Sequence, residues 1–197
     1  MPLVDYLIAR DGLPARSGDA YDYVLAGDGL YLVTENSSLE VRMPVALAQV
    51  RGLAPVGPRF LLRRGRLPQE LWEDIVAAAQ LFSIRGQELL LAVTYTEGAG
   101  YRLVVPRQTT GSMHVLYERF PDVVLAIHSH HRYPAVFSAT DDADEQGFGL
   151  YGVLGRLDED RPEVSLRCGI YGYFFPLPWG AVFDGSRGAF RDANLEP

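Results

Sequence analysis

Three of the chain's four histidines fall within four consecutive positions of HSHHRYPAVFSATDD, residues 128 to 142, and Ser138 and Asp141 follow close behind. Side chains alternate along a strand, so His128 and His130 share a face and His131 takes the other. The apolar run VVLAI ahead of them reads as a buried strand. Two imidazoles unpaired at its end would cost free energy unless something binds them. A metal ion is the natural partner. The chain from His130 to Asp141 contains Pro134 and ends near a helix start, enough to loop back and bring a carboxylate to the imidazoles. His128, His130 and Asp141 then make a three-ligand set with a fourth position open, the composition of catalytic rather than structural zinc sites. Ser138-Ala139-Thr140-Asp141 also reads as a capping box, which would start a helix with no metal involved.

The elements that must position this segment are legible in outline. PQELWEDIVAAAQLF, from Pro68, places Leu71, Ile75, Ala78 and Leu81 at helical spacing, with proline at the start and acids in the first turn. QELLLAVTYT and YRLVVP read as strands paired across the turn EGAG, and DVVLAIHSHH as a buried strand. SMHVLYERF is a short helix candidate, and FGLYGVLGRL and VSLRCGIYGYFF add two strands. Upstream, residues 21 to 45 alternate strand and turn, with Asp28-Gly29 and Asn36-Ser37-Ser38 as the turns. The Gly-, Pro- and Arg-rich segment 51–68 reads as a linker, with a boundary near Arg66. The expectation is a small β-rich unit over 1–66 and an α/β (α+β) domain over 67–197, a mixed sheet flanked by helices. GFGLYG, residues 147 to 152, satisfies a dinucleotide-binding spacing, but it precedes a strand and reads as a turn.

Composition narrows the function classes. A formal charge of -7 and a pI near 5.1 make nucleic acid an unfavourable principal ligand, because phosphate binding needs clustered positive charge. No apolar run reaches the ~18 residues of a spanning helix, and MPLVDYLIARDGLP carries no basic leader, so a cytoplasmic location without membrane contact is expected. The lone Cys168 excludes an internal disulfide and reads as a small buried hydrophobe. Every basic residue is arginine.

His128, His130, Ser138 and Asp141 match in type and spacing the H-x-H-x(7)-S-x-x-D signature of the JAMM (JAB1/MPN/Mov34, MPN+) metalloproteases, and residues 68 to 185 resemble that family in element order. The chain as a whole resembles a bacterial subgroup encoded in cassettes beside ParB-related and ThiF-related proteins. The resemblance implies a cytidine-deaminase-like MPN fold and Zn2+ held by His128, His130 and Asp141. It also implies a glutamate upstream, and among Glu70, Glu73, Glu88, Glu97 and Glu118 the start of a strand after a helix favours Glu88, with Glu97 in reserve. Leu91 replaces the glycine frequent in that glutamate motif, and His131 a common proline. By resemblance, Glu88 is general base and acid, Ser138 binds the developing oxyanion, and the substrate is the C-terminal tail of a ubiquitin-like protein or its conjugate, with a ThiF/E1-like partner. Two other readings compete: a non-haem iron oxygenase with a two-His-one-Asp site, and a catalytically silent scaffold of the same fold. His131 is expected to face outward and His114 to lie on a surface helix, while Asp142, Asp144 and Glu145 form an acidic first turn.

Overall fold

The computed structural model describes residues 4–106, 108–110, 115–117 and 122–194. The chain forms two compact units, Met1–Gly65 and Arg66–Pro197. In the first, β1 (Val4–Ile8) runs parallel to β2 (Tyr21–Ala26), and β3 (Gly29–Glu35), β4 (Leu39–Leu47) and β5 (Arg59–Leu62) extend the sheet antiparallel. Ala9, Val24, Ala26, Tyr31 and Val33 form a core cluster on it. Asp28 accepts from the Tyr31 hydroxyl and from the backbone N–H groups of Val56 and Gly57, so the turn between β2 and β3 ties down the following loop. The linker reading is corrected here. β5 pairs with β4 inside residues 51–68, and Arg59 and Arg63 reach Glu40 and Glu35 across it.

The second unit opens with α1 (Gln69–Ser83), capped by Pro68, whose extended backbone cannot continue a helix backwards. Its buried residues are Leu71, Trp72, Ile75 and Ala79. The inward face is thus turned from the expected stripe, and Leu81 lies exposed. Trp72 is the reason: its ring meets Trp179, Phe183 and Phe190 at 5.1–5.7 Å between centroids. β6 (Leu90–Thr96) and β7 (Gly100–Val104) form the expected hairpin.

SMHVLYERF is not a helix where it is described. Val115–Tyr117 is a strand, β9, paired with β8 (Gln108–Thr110). His114 and Glu118 lie outside the described residues. β10 (Val123–Ser129) runs antiparallel to β6; α2 (Ala139–Asp144) follows, and β11 (Phe148–Gly155) lies parallel to β10. GFGLYG is therefore mostly strand: β11 begins at Phe148 and no helix follows it, which removes the dinucleotide reading. VSLRCGIYGYFF is two strands, β12 (Glu163–Ile170) and β13 (Tyr173–Leu177), joined at Tyr171-Gly172, where φ is 47° and 91°. Two consecutive left-handed residues make the tight turn whose twist suits a hairpin. α3 (Trp179–Val182) and β14 (Arg191–Asp192) complete a mixed sheet in the order β13-β12-β11-β10-β6-β7, with β14 beside β12.

One face of this sheet, with Leu91, Val93, Leu125, Ile127, Leu150, Leu154, Leu166 and Cys168, is at most 2% exposed. The opposite face carries Ala92, Ala126 and Tyr151 on one rung and Leu90, His128 and Val153 on the next.

Gly155 ends β11 where the loop after His130 crosses it. A Cβ there would lie 2.3 Å from the Ala135 nitrogen and 2.5 Å from the Tyr133 oxygen. Gly155→Ala is expected to push residues 133–135 off the sheet and cost about 1–3 kcal/mol. Urea unfolding checks this, and an unchanged midpoint would show that the loop yields freely.

Candidate metal centre

β10 carries His128 on the face opposite the apolar core, and the backbone continues extended through His130, whose N–H donates to the Leu154 carbonyl at 2.7 Å. The two Nε2 atoms converge to 3.0 Å. His130 Nδ1 lies 3.3 Å from the Pro134 carbonyl, which fixes a proton on Nδ1 and leaves Nε2 with a free lone pair. The loop that returns the chain is pinned at several points. Arg156 N–H donates to Tyr133 O, Leu157 N–H to His131 O, and Ala135 N–H to Glu163 Oε2 at 2.9 Å, while Ala135 is buried.

The loop ends at Ser138, which caps α2. Ser138 Oγ accepts from the Asp141 N–H at 3.2 Å, and Asp141 Oδ2 accepts from the Ser138 N–H at 2.6 Å. The capping box is therefore formed, and it uses only one carboxylate oxygen. Asp141 Oδ1 faces His128 Nε2 at 3.4 Å. Capping and convergence are thus two uses of one side chain.

Ligand atoms of His128, His130 and Asp141 all lie within 4.8 Å of one another, the one such group among the described residues. Tetrahedral ligands at zinc–nitrogen and zinc–oxygen lengths stand about 3.3 Å apart. Two edges, 3.0 and 3.4 Å, bracket that value and the third lies within 4.8 Å, a set that can hold a four-coordinate ion with one position left over.

Electrostatics agree with the ligand chemistry, which needs neutral imidazole and ionised carboxylate. Burial pushes His128 down to about 4, with His130 and Arg167 adding to the fall against Asp141. For Asp141 burial raises the value, but His128, the Ser138 hydrogen bonds and His130 outweigh it and hold the carboxyl low. Between pH 6.5 and about 4 the unfolded chain holds a proton on this imidazole that the folded chain does not. Stability contributed by neutral His128 is therefore complete above pH 6.5 and lost as pH falls toward 4. Glu145, pushed up to about 7 mainly by burial, acts oppositely over an overlapping window. The expected result is that the difference in urea midpoint between metal-free wild type and His128→Asn shrinks as the pH is lowered.

Glu88 precedes β6 and is half-buried. The register pairs Leu90 with His128, and its continuation sets Glu88 opposite His130 on the same face. Leu89 holds that continuation: its carbonyl accepts from Ser129 N–H at 3.0 Å and its N–H donates to Ser129 Oγ. Glu97 lies in the exposed turn at the other end of β6, roughly 30 Å along the strand from Glu88. Glu70 and Glu73 sit on α1.

A cavity of about 520 Å³ has Leu90, Ala92, Ala126, Asp144 and Tyr151 in its wall, and none of Glu88, His128, His130 or Asp141.

Two expectations are corrected, and that for Cys168 holds. His131 has φ 50°, and both its ring nitrogens are buried without a hydrogen-bond partner rather than facing water. The acidic first turn holds for Asp142 alone: Asp144 ends the helix, Glu145 is its C-cap, and Asp142 and Glu145 both pair with Arg167. Cys168 is fully buried and its thiol is pushed up to about 12 by burial, which removes it as a nucleophile.

No family model matches the chain, and no curated protein matches it significantly. Among solved structures, one described as "JAMM: A Metalloprotease-like Zinc Site in the Proteasome and Signalosome" aligns over 61% of this chain and 97% of its own, at 18% identity and a TM-score of 0.36. No helix among the described residues is long and apolar enough to cross a membrane.

Proposed function

We propose that the chain is a zinc-dependent hydrolase of JAMM type that cleaves a peptide or isopeptide bond. The observation that carries this reading is that ligand atoms of His128, His130 and Asp141 come within 4.8 Å of one another, beside a sheet position that Glu88 shares. Zinc held there supplies Lewis-acid polarisation of a carbonyl and acidification of water near neutral pH. The protein does the rest. Glu88 takes a proton from water and returns it to the leaving amine. Ser138 Oγ accepts the Asp141 N–H, which leaves its own proton to donate to a developing oxyanion. His130 is oriented by Pro134. Because Glu88 activates water, hydrolysis in this reading proceeds by its direct attack, without an acyl-enzyme.

The substrate reading rests on the sequence signature and on the cavity. Its small residues, Ala92 and Ala126, leave room along the sheet for an extended chain. A ubiquitin-like C-terminal tail, linear or joined to a lysine, has that shape, and a ThiF/E1-like enzyme is the partner such a pathway supplies. A cytoplasmic location belongs to the same proposal. The test is mass spectrometry of a ubiquitin-like tail fusion and its isopeptide conjugate after incubation with zinc-loaded protein. The expected products are a new carboxyl terminus and a free amine, abolished by chelator and restored by zinc. Intact substrates with fully loaded protein would contradict the reading and favour a silent scaffold.

A further inference from the structure

We propose that Arg167 is the positioning residue that docks α2, and through it Asp141, against the histidine strand. The proposal rests on the metal-centre reading and concerns a residue 26 positions beyond Asp141. α2 has six residues and none is buried, so it lacks the apolar face that normally anchors a helix. A helix this short does not hold its place through backbone bonds alone. The capping box fixes Asp141 relative to Ser138, but not α2 relative to β10.

Arg167 supplies that second constraint. It lies on β12 opposite Tyr151, which pairs with Ala126, one rung from His128 on the same sheet face. Its guanidinium stacks 3.7 Å from the Phe137 ring centroid and 3.8 Å from that of Phe174. Phe137 immediately precedes the Ser138 cap and turns its ring toward His128 at 6.5 Å. In the plane of the guanidinium, Nε and Nη2 donate to Glu145 Oε2 at 3.0 and 2.6 Å, and Nη1 donates to Asp142 Oδ1 at 2.6 Å. One planar cation therefore grips the residue ahead of α2, its first turn and its C-cap. Arg167 is 6% exposed and Glu145 8%, so the Glu145 contact is shielded from screening by water, while Asp142 stands exposed. Lysine cannot reproduce them, because its point charge offers neither two stacking faces nor a rigid fork.

The test compares Arg167→Lys with Glu145→Gln and Asp142→Asn. Amide hydrogen exchange over residues 139–145 is read in metal-free protein, zinc affinity by chelator competition, and the ligand-field spectrum after loading with Co2+. In Arg167→Lys, exchange is expected to quicken in α2 while β10 and β12 stay protected, zinc affinity to fall about 10–100-fold, and the cobalt bands to weaken as four-coordinate geometry is lost. The two carboxylate variants change in the same direction, less. Unchanged exchange and zinc affinity in Arg167→Lys would overturn the proposal and leave Arg167 a core-packing residue. If that variant does not fold, the carboxylate variants decide, and wild-type values in both overturn it. Wild type that takes up neither metal would sink the metal centre, while the exchange measurement would still judge the clamp.

Discussion

Glu88→Gln is expected to lower peptide- or isopeptide-bond hydrolysis by about 10²–10⁴-fold, with bound zinc unchanged. The reason is positional. Glu88 follows the β6 register onto the face of His128 and His130, yet it is not among the three residues whose ligand atoms converge. Glutamine keeps the volume and one oxygen acceptor but cannot carry the proton, so the loss falls on turnover and not on metal. Glu97→Gln, at the far hairpin, is expected to match wild type. Steady-state kinetics with metal analysis on both variants checks this. Loss of activity in Glu97→Gln with Glu88→Gln intact would reverse the assignment.

The second large effect is expected from Asp141→Asn. Its side-chain oxygen can still accept the Ser138 N–H, so the cap survives and the metal-free protein should melt near wild type. What disappears is the anionic oxygen that faces His128 at 3.4 Å. Added zinc should therefore raise the melting temperature of wild type, as any ligand specific for the folded state does, and leave Asp141→Asn unmoved. The comparison separates the two uses of the carboxylate. A variant that unfolds without metal would make the cap the dominant role, and one still stabilised by zinc would remove Asp141 from the ligand set.

The centre was legible because its signal is local. A strand with alternating histidines and a capping box a few residues later constrain each other through chain length alone, and His128, His130 and Asp141 meet as that spacing predicts. α1, β6, β7 and β10 were legible for a similar reason, since their apolar periods are strong and their breakers are glycine or proline. Tertiary packing decided the rest. Trp72 turned the inward stripe of α1 toward Trp179 and Phe183, partners more than a hundred residues away. The hairpin in VSLRCGIYGYFF was hidden because its turn is Tyr-Gly within a run of strand formers. Within residues 51–68, RFLL is too short to outweigh the surrounding prolines, and only pairing with β4 makes it a strand. Arg167 gave one signal that could have been read: a charged residue inside an otherwise apolar strand is costly unless paired, so its presence there implies partners. Nothing local says that those partners are Asp142 and Glu145.

Metal analysis of the purified protein shows whether His128, His130 and Asp141 together hold one zinc ion. Protein supplied with zinc and iron together, then desalted, is expected to carry about one zinc per chain, with Asp141→Asn carrying none. Iron in place of zinc would contradict the hydrolase and turn the two-His-one-Asp site toward oxygen chemistry. No bound metal would leave a capped helix beside two histidines.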